Sequence, residues 1–267
     1  MHLTTQRLVT GAARVVNNAH LRWIPRAIAR RLPPKLRLRL SKLQVRLGVM
    51  DGLLLVPEDD LERSYQAALE LLRDSADRSL GTYLEFGVYI GTSIACMYRA
   101  ASRIGADIRL VGFDSFEGLP KDAAREDGGV WRPGQYYSDL ELTNWNLARL
   151  GVPLSRVDLV PGWYEESLTA ETRDRLGLDR AAVVMVDCDL ASSARAALEF
   201  CLPLIPARTI FFFDDWSIKS LAERGLGERK AFEDWLSAHP ELDAQEIPDL
   251  QYAAKARAFL VTRRASS

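Results

Sequence analysis

"AAVVMVDCDLASSARAALEF", residues Ala181 to Phe200, holds the reading on which the fold turns. Its first six residues are apolar and rich in valine, as in a strand covered on both faces. Its end places Ala194, Ala197, Leu198 and Cys201 on one side of a helix. Between strand and helix stand Asp187 and Asp189, two apart on an extended chain and so pointing the same way. "RTIFFFDDW", Arg208 to Trp216, repeats the design: an apolar strand runs into Asp214 and Asp215. A strand buried on both faces should not end in naked charge unless something pairs with it.

Outward from this stretch, strand and helix patterns alternate. Upstream, "GTYLEFGV" reads as a strand followed by a helix with Ile94, Met97, Tyr98 and Ala101 at helical spacing. "IRLVGFD" is a second strand and "RVDLVPG" a third, separated by a Gly- and Pro-rich loop and the helical "LELTNWNLARLG". Downstream, "ERKAFEDWLSAH" is helical, and "LDAQEIP…ARAFLVTRR" suggests a closing pair of strands. Asp60 is placed to cap an earlier helix whose Leu61, Tyr65, Leu69 and Leu72 share one face. The pattern predicts an α/β fold, a mostly parallel sheet with helices on both faces. Ligands of such sheets bind beyond the carboxyl ends of the strands, where all four aspartates fall.

The chain has 267 residues and a net charge of −1, and that near-balance hides an asymmetry. Residues 1–50 hold eleven Lys and Arg and no acid; the rest holds 24 basic and 36 acidic residues, a net of −12. Residues 1–50 are therefore expected to form a basic helical extension or lid, with the main domain at 51–267. Such an extension can pack on the acidic body or make peripheral contact with an anionic membrane; its composition also resembles an organellar transit peptide. Pro33-Pro34 interrupts its helical pattern. An acidic body repels phosphates, which argues against nucleic-acid partners. Three scattered cysteines, Cys96, Cys188 and Cys201, without CxxC or a His/Cys cluster, argue against zinc and disulfides and suit a reducing cytoplasm. No apolar run reaches the roughly 18 residues of a spanning helix.

"LEFGVYIGTS" sets Glu85, Gly87, Gly91 and Thr92 at a strand-to-helix turn. The spacing E-x-G-x-x-x-G is not that of a diphosphate-binding turn, and an acid before the first glycine suits a cation better than a phosphate. S-adenosylmethionine carries an ammonium and a sulfonium and no phosphate. Asp114 ends the second strand, where a carboxylate can accept from ribose hydroxyls; the competing reading is a turn cap helped by Ser115. Gly162-Trp163 can border an adenine ring, or Trp163 can be an ordinary core residue.

If the two late strands are neighbours, Asp187, Asp189, Asp214 and Asp215 crowd together. Without a cation they repel and some must bind protons. A hard divalent ion resolves this, and an oxygen-only set points to Mg²⁺. The bland alternative makes Asp189 a helix N-cap and Asp214-Asp215 a solvated turn.

"LEFGVYIGTS", "GFDSFEGLP", "VPGWYEESL", "VDCDLASSARAALEF" and "FFFDDW", in this order, resemble the macrocin O-methyltransferase (TylF-like) family over about residues 80–240. The resemblance implies a Rossmann-like class I methyltransferase fold with a seven-stranded sheet, S-adenosylmethionine and Mg²⁺ as cofactors, and methylation of a sugar hydroxyl on a natural product. It implies Asp187, Asp214 and Asp215 as metal ligands, Asp189 as general base, and Glu85, Gly87, Asp114 and Ser115 in the cofactor site. Ala191 and Ala194 stand where the family carries Tyr and Thr, and Trp216 replaces a common Tyr. A glycoside acceptor is expected, with a catechol-like or lipid-linked diol as the alternative; a non-catalytic binding protein and a nicotinamide oxidoreductase are rivals. A homo-oligomer is expected. Trp131, Tyr136 and Tyr137 lie in a loop that either closes over the acceptor or simply packs down.

Overall fold

The computed structural model describes residues 33–46, 56–73, 80–205 and 207–264. Seven strands form one sheet: β1 Thr82–Phe86, β2 Arg109–Asp114, β3 Val157–Pro161, β4 Ala181–Val186, β5 Arg208–Phe213, β6 Leu242–Glu246 and β7 Arg257–Arg263. Their order is β3-β2-β1-β4-β5-β7-β6. β1 pairs in parallel with β2 and β4, and β4 in parallel with β5. β7 alone enters antiparallel, between β5 and β6. Strand order reverses between β1 and β4, which opens a crevice beyond their carboxyl ends. This is the doubly covered α/β sheet expected from the alternating pattern, with the two closing strands in place.

Six helices matter to the site: α1 Pro34–Arg46, α2 Glu58–Arg73, α3 Thr92–Ile104, α4 Leu140–Arg149, α5 Ala191–Cys201 and α6 Gly227–Ala238. Alternation along the strands divides the core. Tyr83, Val183, Met185, Ile210 and Phe212 pack with α2 and α3 on one face. Leu84, Phe86, Val184, Val186, Phe211 and Phe213 pack with α5 and α6 on the other. Leu61, Tyr65, Leu69 and Leu72 are buried as their spacing requires. Asp60, however, is not the cap: the helix starts at Glu58, and Glu58, Asp59 and Asp60 all lie in its first turn. Three acids there suit the positive end of the helix dipole.

α1 begins at Pro34, where a missing N–H costs the helix nothing. It packs Val45 against Ile90 and Leu142, with Lys42 and Arg46 over the Trp145 ring. So the part of the basic extension that is described does fold over the body; residues 1–32 and 47–50 lie outside the described residues. Among the described residues no helix is long and apolar enough to cross a membrane.

Candidate active site

The turn after β1 is built by backbone geometry. Gly87 has φ +94° and Gly91 φ +79°, and Tyr89 between them is also left-handed at +51°. Helix α4 fixes this turn from outside. Thr143 Oγ1 donates to the Tyr89 carbonyl at 2.6 Å and Asn146 Nδ2 to that of Ile90 at 2.8 Å. A Cβ on Gly91 would strike Leu147, so this glycine serves close helix packing; it does not line the cleft.

Glu85 does not face the cleft either. It is fully buried beneath the turn, accepting from the Tyr83 hydroxyl and, at 2.6 Å, from Ser93 Oγ. Burial pushes its carboxyl up to about 8, despite those hydrogen bonds. The expectation that Glu85 meets a cation directly is therefore corrected: strand alternation turns its side chain toward α3. Any contribution to a cofactor runs through the turn it anchors.

Asp114 lies at the rim of the cleft and organises two loops. Its Oδ2 accepts from the Val88 and Tyr89 N–H groups, both at 2.8 Å, and its Oδ1 from that of Phe116 at 2.6 Å. Burial raises its carboxyl above the ordinary range, and those three N–H donors oppose the shift. A carboxylate has about four acceptor directions, so this arrangement leaves room for roughly one further donor. Ser115 Oγ accepts from the Glu117 N–H at 3.1 Å and donates to the Gly118 carbonyl at 3.2 Å, which is the turn-cap role. Gly162 donates its N–H to the Asp114 carbonyl at 3.0 Å, and Gly162, Trp163 and Thr92 all line the cleft.

At the ends of β4 and β5 the aspartates converge. Sheet hydrogen bonding continues past both strands: Asp187 N donates to Phe86 O at 2.9 Å and Asp214 N to Val186 O at 3.1 Å. Carboxylate oxygens of Asp187, Asp214 and Asp215 lie within 4.8 Å of one another. Asp189 lies close enough to Asp215 and Asp187 that their charges bear on its carboxyl. Burial, then the neighbouring negative charges, raise the carboxyls of Asp187, Asp189 and Asp214.

Neither bland alternative describes these residues. Asp214 and Asp215 are only 5% and 4% exposed, hence no solvated turn. The residue at the N-cap of α5 is Leu190, not Asp189. Glu126, from the loop after β2, caps that helix, accepting from Ser192 N and Ser192 Oγ, both at 2.6 Å. Asp189 instead sits at φ +64° in a tight turn closed by Leu190 N to Cys188 O at 2.6 Å.

Three partners were not visible in the sequence. Glu228, buried at the start of α6, accepts from the Cys188 N–H at 3.3 Å and the Asp215 N–H at 3.0 Å, tying the two strand ends together. Lys255 Nζ contacts Asp214 Oδ2 and lies 2.6 Å from Asp215 Oδ1, while the Tyr252 hydroxyl donates to Asp214 Oδ1. A glutamate opening an amphipathic helix, and a lysine just before the last strand, look like ordinary surface residues until the chain is folded.

The loop after β2 is packed down. Asp127 is buried and accepts from the N–H groups of Gly129, Val130 and Trp131 at 2.8, 3.0 and 2.5 Å. Trp131 is buried beside Leu190 and Leu221, yet it and Tyr136 still border the cleft. Tyr137 does not line it. Among the described residues the cleft measures about 1500 Å³. That exceeds the upper end, about 1,000 Å³, of ordinary single-ligand pockets, and suits two ligands side by side.

Comparison with known proteins agrees with this geometry. Residues 84–216 match the family described as a methyltransferase domain. A stretch of 151 residues is 32% identical to the 8-demethyl-8-(2,3-dimethoxy-alpha-L-rhamnosyl)-tetracenomycin-C 4'-O-methyltransferase of Streptomyces olivaceus. That match covers 54% of this chain and 56% of the relative, so the chain spans little more than half of the relative's length. Among solved structures, the calicheamicin methyltransferase CalS11 superposes with a TM-score of 0.60 at 19% identity, covering 100% of this chain and 95% of that one. The O-methyltransferase NovP gives 0.56 at 18% identity, covering 77% and 79%. The match over residues 84–216 is thus to a methyltransferase domain, and the chain that carries it has the class I methyltransferase fold.

Proposed function

We propose that this protein transfers a methyl group from S-adenosylmethionine to a hydroxyl of a glycosylated small molecule, at a site that takes a divalent cation. The observation behind this reading is one cleft that joins the Gly87–Thr92 turn, Asp114 and Gly162 to Asp187, Asp189, Asp214 and Asp215. The sugar acceptor follows the relative that is named for a rhamnosyl 4'-O-methyl transfer.

The side chains present fit both groups. Gly87, Asp114, Gly162 and Trp163 would hold the cofactor, with Asp114 offering its remaining acceptor direction to the ribose. Asp187, Asp214 and Asp215 form an all-oxygen donor set suited to Mg²⁺, and the Lys255 ammonium between two of them marks the place as one where positive charge is favoured. When bound, the cofactor supplies a methyl on a sulfonium leaving group and the metal lowers the pKa of an acceptor hydroxyl.

Asp189 would take the proton that this hydroxyl gives up. Burial and the Asp215 charge raise its carboxyl above the usual range; a carboxylate is a weak base, so this role depends on the hydroxyl being acidified first. The tight turn at Asp189 holds that base at the edge of the metal set without making it a ligand. Tyr136, which borders the cleft with Trp131 buried behind it, can contact a sugar face while water is excluded.

One observation favours a metal-free variant of the same chemistry: Lys255 already supplies a cation to Asp214 and Asp215. Labelled S-adenosylmethionine with a panel of glycosides and catechols, before and after chelation and Mg²⁺ return, separates these readings. Glycoside labelling that chelation stops and Mg²⁺ restores supports the proposal in full. Labelling indifferent to chelation removes the metal, and failure to bind the cofactor removes the methyl transfer.

A further inference from the structure

The β5–β7 ladder pairs Arg208 with Thr262 and Phe213 with Arg257. Continued past that last pair, the same register sets Asp214 across from Ala256 and Asp215 across from Lys255. Topology alone therefore brings one lysine to the acidic strand end. Local bonds keep it there: Ser217 donates its N–H to the Lys255 carbonyl at 3.1 Å, and Tyr252, three residues earlier, donates its hydroxyl to Asp214. The Lys255 ammonium lies on Asp214 Oδ2 and 2.6 Å from Asp215 Oδ1. Its side chain is 32% exposed and lines the cleft, whereas those of Asp214 and Asp215 are 7% and 4% exposed.

Charge balance gives this placement meaning. Asp187, Asp189, Asp214, Asp215 and Glu228 gather five carboxyl groups, and both ion pairs made to them among the described residues come from Lys255. Truncating the positive partner of such a cluster would leave buried negative charge without compensation. Yet a lysine is a compact charge on a flexible four-carbon stem, unlike the rigid fork of arginine, and the open side of Lys255 faces the cleft. It can leave without disturbing the strands.

We propose that Lys255 is a tethered counter-cation that competes with the divalent ion: it keeps the carboxylates assembled beforehand and swings into the cleft when the ion takes their oxygens. This rests on the metal reading above. An ammonium and a divalent ion on the same oxygens repel each other at close range, so each weakens the other's hold there. Metal affinity is then reduced by the fraction of molecules in which Lys255 is out, because only those are competent to bind.

The test uses Lys255→Met, which keeps the stem and removes the charge. Metal-stripped wild type and variant are titrated with Mn²⁺ by calorimetry. A lysine paired about nine-tenths of the time predicts a Kd about tenfold lower in the variant. The metal-free variant should also melt earlier than wild type and regain the difference when Mn²⁺ is added. Equal or weaker Mn²⁺ binding by the variant overturns the exchange while leaving the metal reading intact; no binding by either protein overturns both. A variant soluble only with Mn²⁺ supports the proposal. Should it aggregate under all conditions, brief acetylation of wild type, read by mass spectrometry, decides: modification of Lys255 must rise when Mn²⁺ saturates the site, and unchanged modification overturns the exchange.

Discussion

A Cβ placed on Gly87 would lie 1.8 Å from the carbonyl oxygen of Asp187, so the turn after β1 and the end of β4 touch through bare backbone. The glycine of that turn and the first residue of the acidic set are in this sense one structural unit.

Gly87→Ala should therefore disable both halves of the site. The residue also sits at φ +94°, where a side chain costs about 1–2 kcal/mol before any clash. With Asp187 held in place by its N–H bond to the Phe86 carbonyl, we expect destabilisation of at least about 2 kcal/mol, read as a lower urea midpoint. A variant as stable as wild type would show that β4 can shift.

Asp189→Asn tests the base. Asparagine tolerates left-handed backbone nearly as well as aspartate, so the turn at φ +64° should persist. Loss of a general base is expected to lower turnover by about 10²–10⁴-fold, with cofactor affinity by calorimetry unchanged. Full turnover in this variant would remove Asp189 from the reaction.

Glu85 should make the fold less stable as pH rises. Burial first, opposed by the Ser93 and Tyr83 hydroxyls, raises its carboxyl from 4.5 to about 8 in the folded protein. Between those values the folded state holds a proton that the unfolded chain has released, so stability is greatest below about 4.5 and declines as pH climbs toward 8. Glu85→Gln, which cannot ionise, should flatten that part of the profile and melt higher than wild type at the alkaline end. A parallel pair of profiles would show Glu85 ionised throughout.

Glu228→Ala should cost stability by untying the ends of β4 and β5. It strands the Cys188 and Asp215 N–H groups in a buried place, and an unsatisfied donor costs about 1–3 kcal/mol. Part of that is offset because burial and the charges of Asp215 and Asp214 already strain the Glu228 carboxyl. A net loss of about 2 kcal/mol in denaturant unfolding is expected, and Glu228→Gln should recover most of it by keeping an acceptor in place.

Much of this architecture was legible from local pattern. The apolar run 181–186 and the phenylalanine run 211–213 announced doubly covered strands, and their charged ends announced the rim where Asp187, Asp214 and Asp215 meet. What stayed hidden needed distance information. Lys255 is 40 residues from Asp215 and reaches it only through an antiparallel register that no periodicity specifies. Glu126 reaches Ser192 across 66 residues, so local pattern offers only Asp189, the nearest acid, as an alternative cap for α5. Glu85 misled for another reason: a motif gives the residue type, whereas strand alternation decides which way its side chain turns.

The late insertion of β7 has a bearing on how the protein is made. β6 has β7 as its sheet partner and β5 needs β7 on its outer edge, so the ribosome releases both before the strand that joins them. At roughly 5–20 residues per second, the nascent chain spends some seconds with Asp214 and Asp215 outside the exit tunnel and Lys255 still to come. Until β7 enters between β5 and β6 the sheet lacks its junction, and the two ion pairs that Lys255 gives Asp214 and Asp215 are still to form.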